Sequence, residues 1–223
     1  MKHRLLFPAT ALIGAAVQFI VLTAIAMLVY PGGAKFHSAT DHYLFFGNFF
    51  SDLGATRTIT GHSNTTSHVL FLIALGLTGL SLAYFSAVWR IESNGRVAGT
   101  VSQVAALISG LGFVGIAATP WNLVYDAHNL FVRIAFGLLL VYVICMVLVQ
   151  AQIAWPRAFF WLNVAYLVLL LAYVVNLFAG PGLDTPDGLR FQVAAQKVMV
   201  YASIINLGIQ AAGVRAAVRR RAL

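Results

Sequence analysis

Charged side chains are scarce in this 223-residue sequence. Asp, Glu, Lys and Arg together make up 9% of the residues, whereas 61% are hydrophobic. Acids are the scarcest: there are six Asp and Glu residues against fourteen Lys and Arg. A soluble domain carries about 25% charged residues, so this composition argues against a water-soluble fold and points to a lipid bilayer.

Cysteine is almost absent as well. The only one in the sequence, Cys145, lies in the middle of a long apolar run. A single cysteine cannot form an intramolecular disulfide framework or supply several thiolate ligands to a metal. The sequence therefore predicts neither a disulfide-stabilised fold nor a thiolate metal site.

Six long apolar runs fill most of the chain. Each approaches or exceeds the roughly 20 residues that cross a hydrocarbon core as a helix. Backbone N–H and C=O groups must hydrogen-bond internally in a bilayer, so we expect these runs to be helical. We predict an all-α integral membrane protein in which residues 1–223 form a single six-transmembrane-helix bundle, with spans at residues 11–30, 69–88, 97–118, 130–149, 158–179 and 193–214.

The distribution of lysine and arginine predicts the orientation. With an even number of spans, both termini share one side, and that side carries nine of the fourteen Lys and Arg residues. The positive-inside rule then makes both termini cytoplasmic and the long first loop, residues 31–63, external. We predict a multi-pass protein of the inner (plasma) membrane. Anionic lipid headgroups account for the net charge of +8, so nucleic acid is not an expected partner.

Histidine and aspartate collect at the predicted outer face. Five of six histidines and five of six acids fall there, although the positive-inside rule is nearly indifferent to acids. Loops as long as the first one are usually functional or carry structure of their own, and we expect this one to lie in the interface or fold back over the helices. Its stretch "NFFSDLGATRTITGHSNTTSH" supplies six candidate site residues: Ser51, Asp52, Arg57, His62, Asn64 and His68.

A second polar segment, "TPWNLVYDAHNLFVR", precedes and enters the fourth predicted span. It supplies Asp126 and His128, and then Asn129 and Arg133 one helical turn apart. An arginine inside the membrane is energetically expensive and normally has a partner. We predict that Asp52 or Asp126 is that partner.

The last predicted span carries a polar stripe. Its members fall within about 40° of one line when residues are placed at roughly 100° each around a helix. One interpretation is hydrogen bonding between helices, which is common in membranes. The other is a polar cavity that reaches down from the outer face. We favour hydrogen bonding between helices for the stripe, which consists of Gln192, Gln196, Met199, Ser203, Asn206 and Gln210.

Several short motifs resemble one known family. They are "FFSDLG" around Asp52, Asn64 with Ser67, and "GIAATPWNLVYDAHNLFVRIAFG", in which Asp126 stands shortly before His128. Together they resemble the bacterial and archaeal six-helix family called domain of unknown function 998. That family is in turn similar to the Frag/DRAM/Sfk-like membrane proteins, which include a factor for lipid remodelling of glycosylphosphatidylinositol anchors. The resemblance covers most of the chain and implies a six-helix fold with a site at the outer face, but no particular reaction.

A more distant similarity is to ceramidase-like membrane hydrolases, which hold zinc with three histidines and use a nearby Ser and Asp. This chain offers His62, His68 and His128 as ligands, but it lacks the paired HxxxH that those enzymes carry on a late helix. Three neutral imidazoles and a water would make an open zinc site.

Two functions therefore remain open. The first is a lipid-handling or partner-binding protein, whose outer site binds a membrane lipid, another membrane protein or a second copy of this chain. The alternative is a zinc-dependent intramembrane hydrolase of a lipid ester or amide. In the hydrolase, His62, His68 and His128 would hold the zinc, and Ser51, Asp52 and Asp126 would be catalytic. The predicted ligand contacts in both cases are Arg57, Asn64, Asn129, Arg133, Gln192 and Gln196.

Overall fold

The computed structural model describes residues 5–220, so the predicted domain limits, residues 1 and 223, lie outside them. The described residues contain no β-strand, only isolated β-bridges between Ala34 and His37 and between Arg57 and Ser63. Their helices, in chain order, are α1 (Leu6–Leu28), α2 (Phe50–Leu53), α3 (Thr65–Phe85), α4 (Val88–Glu92), α5 (Val97–Ala118), α6 (Tyr125–Gln152), α7 (Arg157–Ala179) and α8 (Pro186–Arg220).

The described chain contains six helical segments that are long and apolar enough to cross a membrane. They are α1, α3 continued by α4, α5, α6, α7 and α8, which confirms the all-helical, six-span part of the prediction. The helix α8 is much longer than its predicted span at residues 193–214. An apolar run marks only the part of a helix that suits hydrocarbon, whereas the backbone hydrogen bonds continue into its amphipathic ends.

The long helices form a ring. Each packs against the next one along the chain, and α8 returns to pack against α1. One buried apolar cluster, which includes Trp89 and Tyr142, fills the end near the described chain termini. A second cluster, which includes Phe19 and Phe71, fills the opposite end. The end near the described chain termini is therefore filled by side chains of the helices themselves. The opposite end is filled in part by side chains from the long connection between α1 and α3.

Glycines allow α3, α5 and α6 to pack closely. A Cβ added at Gly110 would lie 2.5 Å from the backbone oxygen of Gly79, and one added at Gly115 would lie 2.3 Å from the ring of Phe131. Ser109 donates a hydrogen bond of 2.8 Å from α5 to the carbonyl of Ala135 on α6. Small residues and interhelical hydrogen bonds stabilise helix pairs in membranes, where apolar side chains gain little by leaving lipid. These three helices are the tightly packed side of the ring.

Residues 29–64 fold back over one end of the ring, which we call the loop face. Phe50 and Leu53 of α2 are 3% and 0% exposed, so the apolar side of this short helix is buried against the bundle. The ring of Phe50 packs against Phe19 of α1 and Tyr201 of α8, at centroid distances of 6.0 and 5.3 Å. This segment is therefore a packed cap.

The cap is also tied to the two other connections at the loop face. Lys35 Nζ donates a hydrogen bond of 3.0 Å to the carbonyl of Leu183, between α7 and α8. The backbone N–H of Thr56 donates to Asn122 Oδ1 at 3.0 Å, between α5 and α6. The three connections at the loop face are therefore joined to one another.

Buried amides join α6, α7 and α8 in the other half of the ring. Gln150 donates to Gln210 Oε1 at 2.8 Å, and Asn206 donates to Asn163 Oδ1 at 3.1 Å. Closer to the start of α8, Ser203 accepts a hydrogen bond of 2.8 Å from Tyr166 of α7. This part of the polar stripe has the interhelical role that we favoured from the sequence.

Candidate functional site

A cavity of about 580 Å³ lies between the cap and the helix ends, and we call it the polar chamber. The walls come from the cap, from the start of α6, from the end of α7 and from the first turns of α8. The polar or charged residues that line it include Lys35, Asn48, Ser51, Asp52, Trp121, His128, Asn129, Arg133, Asn176, Gln192 and Gln196. Gln192 and Gln196 thus belong to a cavity as well as to interhelical contacts, so both interpretations of the stripe apply at its upper end.

The carboxyl group of Asp52 is held in place by the cap itself. Its Oδ2 accepts hydrogen bonds from the Phe49 backbone N–H at 2.9 Å and from Asn48 Nδ2 at 3.1 Å. Both donors lie in the turn that starts α2, where a carboxylate satisfies N–H groups that have no partner in the helix. Asp52 is half-buried and lines the chamber, so the surface it retains faces the cavity.

Burial raises the pKa of Asp52 from 3.8 to about 6. Four smaller effects oppose this rise: the hydrogen bonds from Asn48 and Phe49, the positive charge of Lys197, and the indole of Trp121. The contribution of Trp121 falls short of a full hydrogen bond, since its buried Nε1 has no partner of good geometry among the described residues. At neutral pH the chamber therefore contains a carboxylate that is mostly ionised and already stabilised by protein groups.

Lys197 on α8 supports the site, and the sequence did not single it out. Its side chain is 2% exposed, and Nζ donates a hydrogen bond to the carbonyl of Asn48. Nζ also lies 5.0 to 5.5 Å from three aromatic ring centroids, those of Tyr43, Phe45 and Phe50. Cation–π contacts of this kind stabilise a desolvated ammonium group. Lys197 therefore holds the cap down on α8 and places a positive charge near Asp52.

Arg133 does not have the carboxylate partner that we predicted. The described residues include no ion pair between Arg133 and either Asp52 or Asp126, and Asp126 is exposed. The guanidinium instead lies over the ring of Phe178 on α7, 5.7 Å from its centroid. The prediction is wrong because Asp52 already accepts hydrogen bonds from the cap and interacts with a positive charge on α8. The positions of the helices in the sequence did not reveal these partners.

The three histidines proposed as zinc ligands are not brought together. His62 is exposed, His68 Nδ1 lies 2.7 Å from the carbonyl of Gly54, and His128 Nδ1 lies 2.7 Å from the carbonyl of Thr119. A carbonyl can only accept, so each of these two Nδ1 atoms carries the proton. Across residues 5–220, no group of three His, Cys, Asp or Glu side chains is arranged to hold a metal ion. Only His128 lines the chamber.

The predicted catalytic residues are not arranged as a nucleophile and its base. Ser51 and His128 both line the chamber, but within the described chain no hydrogen bond joins them. Asp126, exposed at the start of α6, does not line the chamber. The site brings together Ser51, Asp52 and His128, but as parts of a wall rather than as a triad.

Two predicted ligand contacts have structural roles instead. Asn64 is buried, and its Nδ2 donates to the carbonyl of Ala55 at 2.8 Å and to the carbonyls of Asp52 and Leu53 at 3.2 Å. It therefore fixes the end of α2. Arg57 is exposed and donates to the carbonyl of Gly61 at 3.0 Å, within a turn of the cap. Neither residue lines the chamber.

A narrow apolar pocket of about 60 Å³ lies beneath the chamber, among residues such as Phe19, Leu75 and Phe136. A cavity of about 150 Å³ is needed to hold a benzene ring, so this pocket is too small for a lipid chain. Ser51, His128, Val132 and Gln196 line both cavities and mark where they meet.

The chamber opens on the side of the bundle, between α6 and α7. Arg133 and Phe178 both line it, and both are exposed, Phe178 to 67%. The helix α7 buries only four of its residues, so its contacts with the ring are sparse. The cavity therefore adjoins the surface that would face lipid in a membrane.

Fold and site together define a helical protein with six candidate membrane spans around one polar chamber. Comparisons of this chain with models of protein families, with curated proteins and with solved structures find no match.

Proposed function

We propose that this protein binds the headgroup of a membrane lipid in the polar chamber, with the acyl chains remaining in the bilayer beside α6 and α7. The observation that carries the proposal is the meeting of a polar cavity with a lipid-facing surface at Arg133 and Phe178. A water-soluble ligand would need no opening toward lipid. A ligand without polar groups would leave unsatisfied the chamber groups that have no hydrogen-bond partner among the described residues, which are the side chains of Asn129 and Arg133 and the Nε1 of Trp121.

The size and chemistry of the chamber support the same proposal. Its volume of about 580 Å³ is within the range of roughly 300–1,000 Å³ that is typical of small-molecule sites. The donors and acceptors come from several elements: Asp52 in the cap, Asn129 on α6 and Gln192 on α8. A headgroup with several oxygens matches this distribution. The pocket below is too narrow for a chain, so the chains have to leave laterally.

The orientation is part of the proposal. The excess of Lys and Arg on the side of the termini supports a cytoplasmic location for both chain ends and an outward-facing chamber, in the inner (plasma) membrane. The resemblance to the domain of unknown function 998 family, whose short motifs surround Asp52 and His128, supports the same location for the site. On this proposal the protein takes up lipid from the outer leaflet.

The alternative of a zinc hydrolase has no comparable support. Its three histidine ligands are dispersed, and Ser51 has no hydrogen-bonded base among the described residues. We therefore propose lipid binding without assigning a reaction.

The test uses two neighbouring positions on α6. Val132 lines the chamber, whereas Leu130 is 56% exposed on the outer surface and does not. Each is changed to Trp, and lipid retained by the purified protein is measured by native mass spectrometry. We expect a retained lipid in the wild type and in Leu130→Trp, and its loss in Val132→Trp with an unchanged size-exclusion profile. Equal retention in both variants would contradict the proposal.

A further inference from the structure

The guanidinium of Arg133 has no anionic partner among residues 5–220, which the structure describes. It lies eight residues into α6, about 12 Å along the helix from Tyr125. At 28 residues, α6 is about 42 Å long and exceeds the roughly 30 Å of a hydrocarbon core, so Arg133 lies near the edge of that core, where a charge without a partner is costly. The Phe178 ring stabilises one face of the guanidinium but supplies no negative charge.

The acids near the chamber are already balanced. Asp52 accepts two hydrogen bonds from the cap and lies close enough to Lys197 for the two charges to interact. Asp184 lies 3.6 Å from Lys35 Nζ. Neither carboxylate pairs with Arg133, so its guanidinium lines the chamber without a counter-charge among the described residues.

We infer that Arg133 binds the phosphate of an anionic phospholipid, one whose headgroup carries no compensating ammonium group. This inference rests on the proposed function and specifies the lipid that the chamber takes. A zwitterionic headgroup would bring its own positive charge into a chamber that needs a negative one. A phosphatidylglycerol-type headgroup supplies one negative charge and hydroxyl groups.

The geometry at Arg133 suits a phosphate. The guanidinium lies over the Phe178 ring, and its N–H groups donate no hydrogen bond to any described residue, so they are available for paired hydrogen bonds with phosphate oxygens. The side chain of Asn129, one turn earlier on α6 and also in the chamber wall, makes no hydrogen bond with any described residue. The buried Nε1 of Trp121 is a further donor without a partner of good geometry in the described chain.

The position of Arg133 also suits the border between headgroup and chains. Phe178 and Arg133 form the contact between α6 and α7 at the place where the chamber reaches the outer surface. A lipid that enters the chamber between α6 and α7 meets the Arg133 guanidinium with its phosphate, while its acyl chains remain in the bilayer along α7. Arg133 is thus both the phosphate ligand and the residue at the opening.

The experiment titrates lipid-depleted protein in detergent with phosphatidylglycerol and with phosphatidylcholine of identical chains, and follows quenching of tryptophan fluorescence by brominated chains. We expect the wild type to prefer phosphatidylglycerol by about tenfold or more, because both lipids offer a phosphate to Arg133 but the choline of phosphatidylcholine adds a second positive charge close to it. Arg133→Gln should abolish the preference and Arg133→Lys should keep part of it. Arg57→Gln removes the same charge from an exposed turn of the cap and should leave the preference unchanged.

The outcomes separate the two proposals. If the wild type binds both lipids equally and Val132→Trp blocks both, the chamber takes lipid headgroups but the anionic preference is wrong. If Arg57→Gln lowers the preference as much as Arg133→Gln does, surface charge explains it and the inference is overturned. If neither lipid binds, both proposals fall. Inorganic phosphate is titrated as well, and competition as strong as that of the lipid would show a site for the free anion instead.

Discussion

Asp52 and Lys197 are far apart in the sequence, and the chamber depends on both. The carboxyl group of Asp52 organises the turn that starts α2, and the ammonium group of Lys197 fastens the same cap to α8 beneath three aromatic rings. Each charge lowers the cost of burying the other, because opposite charges interact strongly where water is excluded. Asp52 therefore lines the chamber, and the buried Lys197 fastens the cap that carries it.

The raised pKa of Asp52 predicts a pH dependence of stability. The folded value of about 6 lies above the unfolded value of 3.8, so the folded state binds this proton more tightly. The stabilisation from Asp52 is then fully present below about pH 3.8 and is lost as the pH rises through about 6. In detergent, Asp52→Asn should flatten the fall in melting temperature between pH 4 and pH 7.

A matched control is Asp126→Asn, which changes an exposed carboxylate at the same face. Its melting profile should stay parallel to that of the wild type. If Asp52→Asn keeps the full pH dependence, the carboxyl is not buried in the way described.

Single residues also show what sequence reasoning reached and what it missed. The residue types at Asp52, His128, Arg133 and Gln196 marked them as candidates, and all four line the chamber. The partners could not be predicted, because they depend on which elements meet at the same depth. Lys197 lies next to the polar stripe, about 100° around α8 from Gln196, and its aromatic partners lie far earlier in the sequence. The one available signal was the phenylalanine-rich "HYLFFGNFF" with a lysine inside an apolar span.

The six long helices were predicted correctly from the sequence. The bilayer fixes the length and apolarity of a span, so hydropathy located all six. Hydropathy did not locate α2, since four residues in a polar connection carry no periodic signal, but Asp52-Leu53-Gly54 does predict the end of a short helix, and Gly54 is the C-cap of α2. Hydropathy also did not show that α8 begins at Pro186. The polar stripe on α8 divides along its length: the deep members bond to α6 and α7, and Gln192 and Gln196 line the chamber.

The close packing of α3 on α5 predicts the effect of a single methyl group. In Gly110→Ala the new Cβ would meet the backbone oxygen of Gly79 at 2.5 Å, so the helices have to separate. We expect a loss of about 1–3 kcal/mol, which is typical of overpacking, seen as a lower melting temperature in detergent. The control is Gly137→Ala on α6, where a Cβ meets nothing within 4 Å. This change should be neutral or slightly stabilising, and equal melting temperatures for both variants would contradict the packing described.

At the scale of the whole molecule, the ring has a tight side and a loose side. Glycines and a hydrogen bond join α3, α5 and α6, whereas α7 buries few residues and borders the chamber opening. A protein that admits lipid from the side needs one wall whose displacement exposes few buried groups. The asymmetry of the ring therefore agrees with lateral access between α6 and α7.

The proposed orientation is tested by single-cysteine labelling after replacing the buried Cys145 with Ser. Arg96→Cys and Asp187→Cys place thiols at exposed positions at opposite ends of the ring. In intact cells, a membrane-impermeant maleimide should label Asp187→Cys at once and Arg96→Cys only after lysis. The reverse pattern would turn the chamber toward the cytoplasm, and labelling of both sites in intact cells would contradict the six-span topology.

The most direct test of the central claim, a headgroup inside the polar chamber, is photolabelling with two lipids that carry the same reactive group in different places. In reconstituted protein, a lipid with a diazirine in its headgroup should label peptides around Trp121–Arg133 and Asn48–Asp52, which line the chamber. A lipid with the diazirine in its acyl chain should label exposed positions on α7 such as Val168 and Leu171. Labelling of the chamber peptides by neither lipid, or by both equally, would contradict the account.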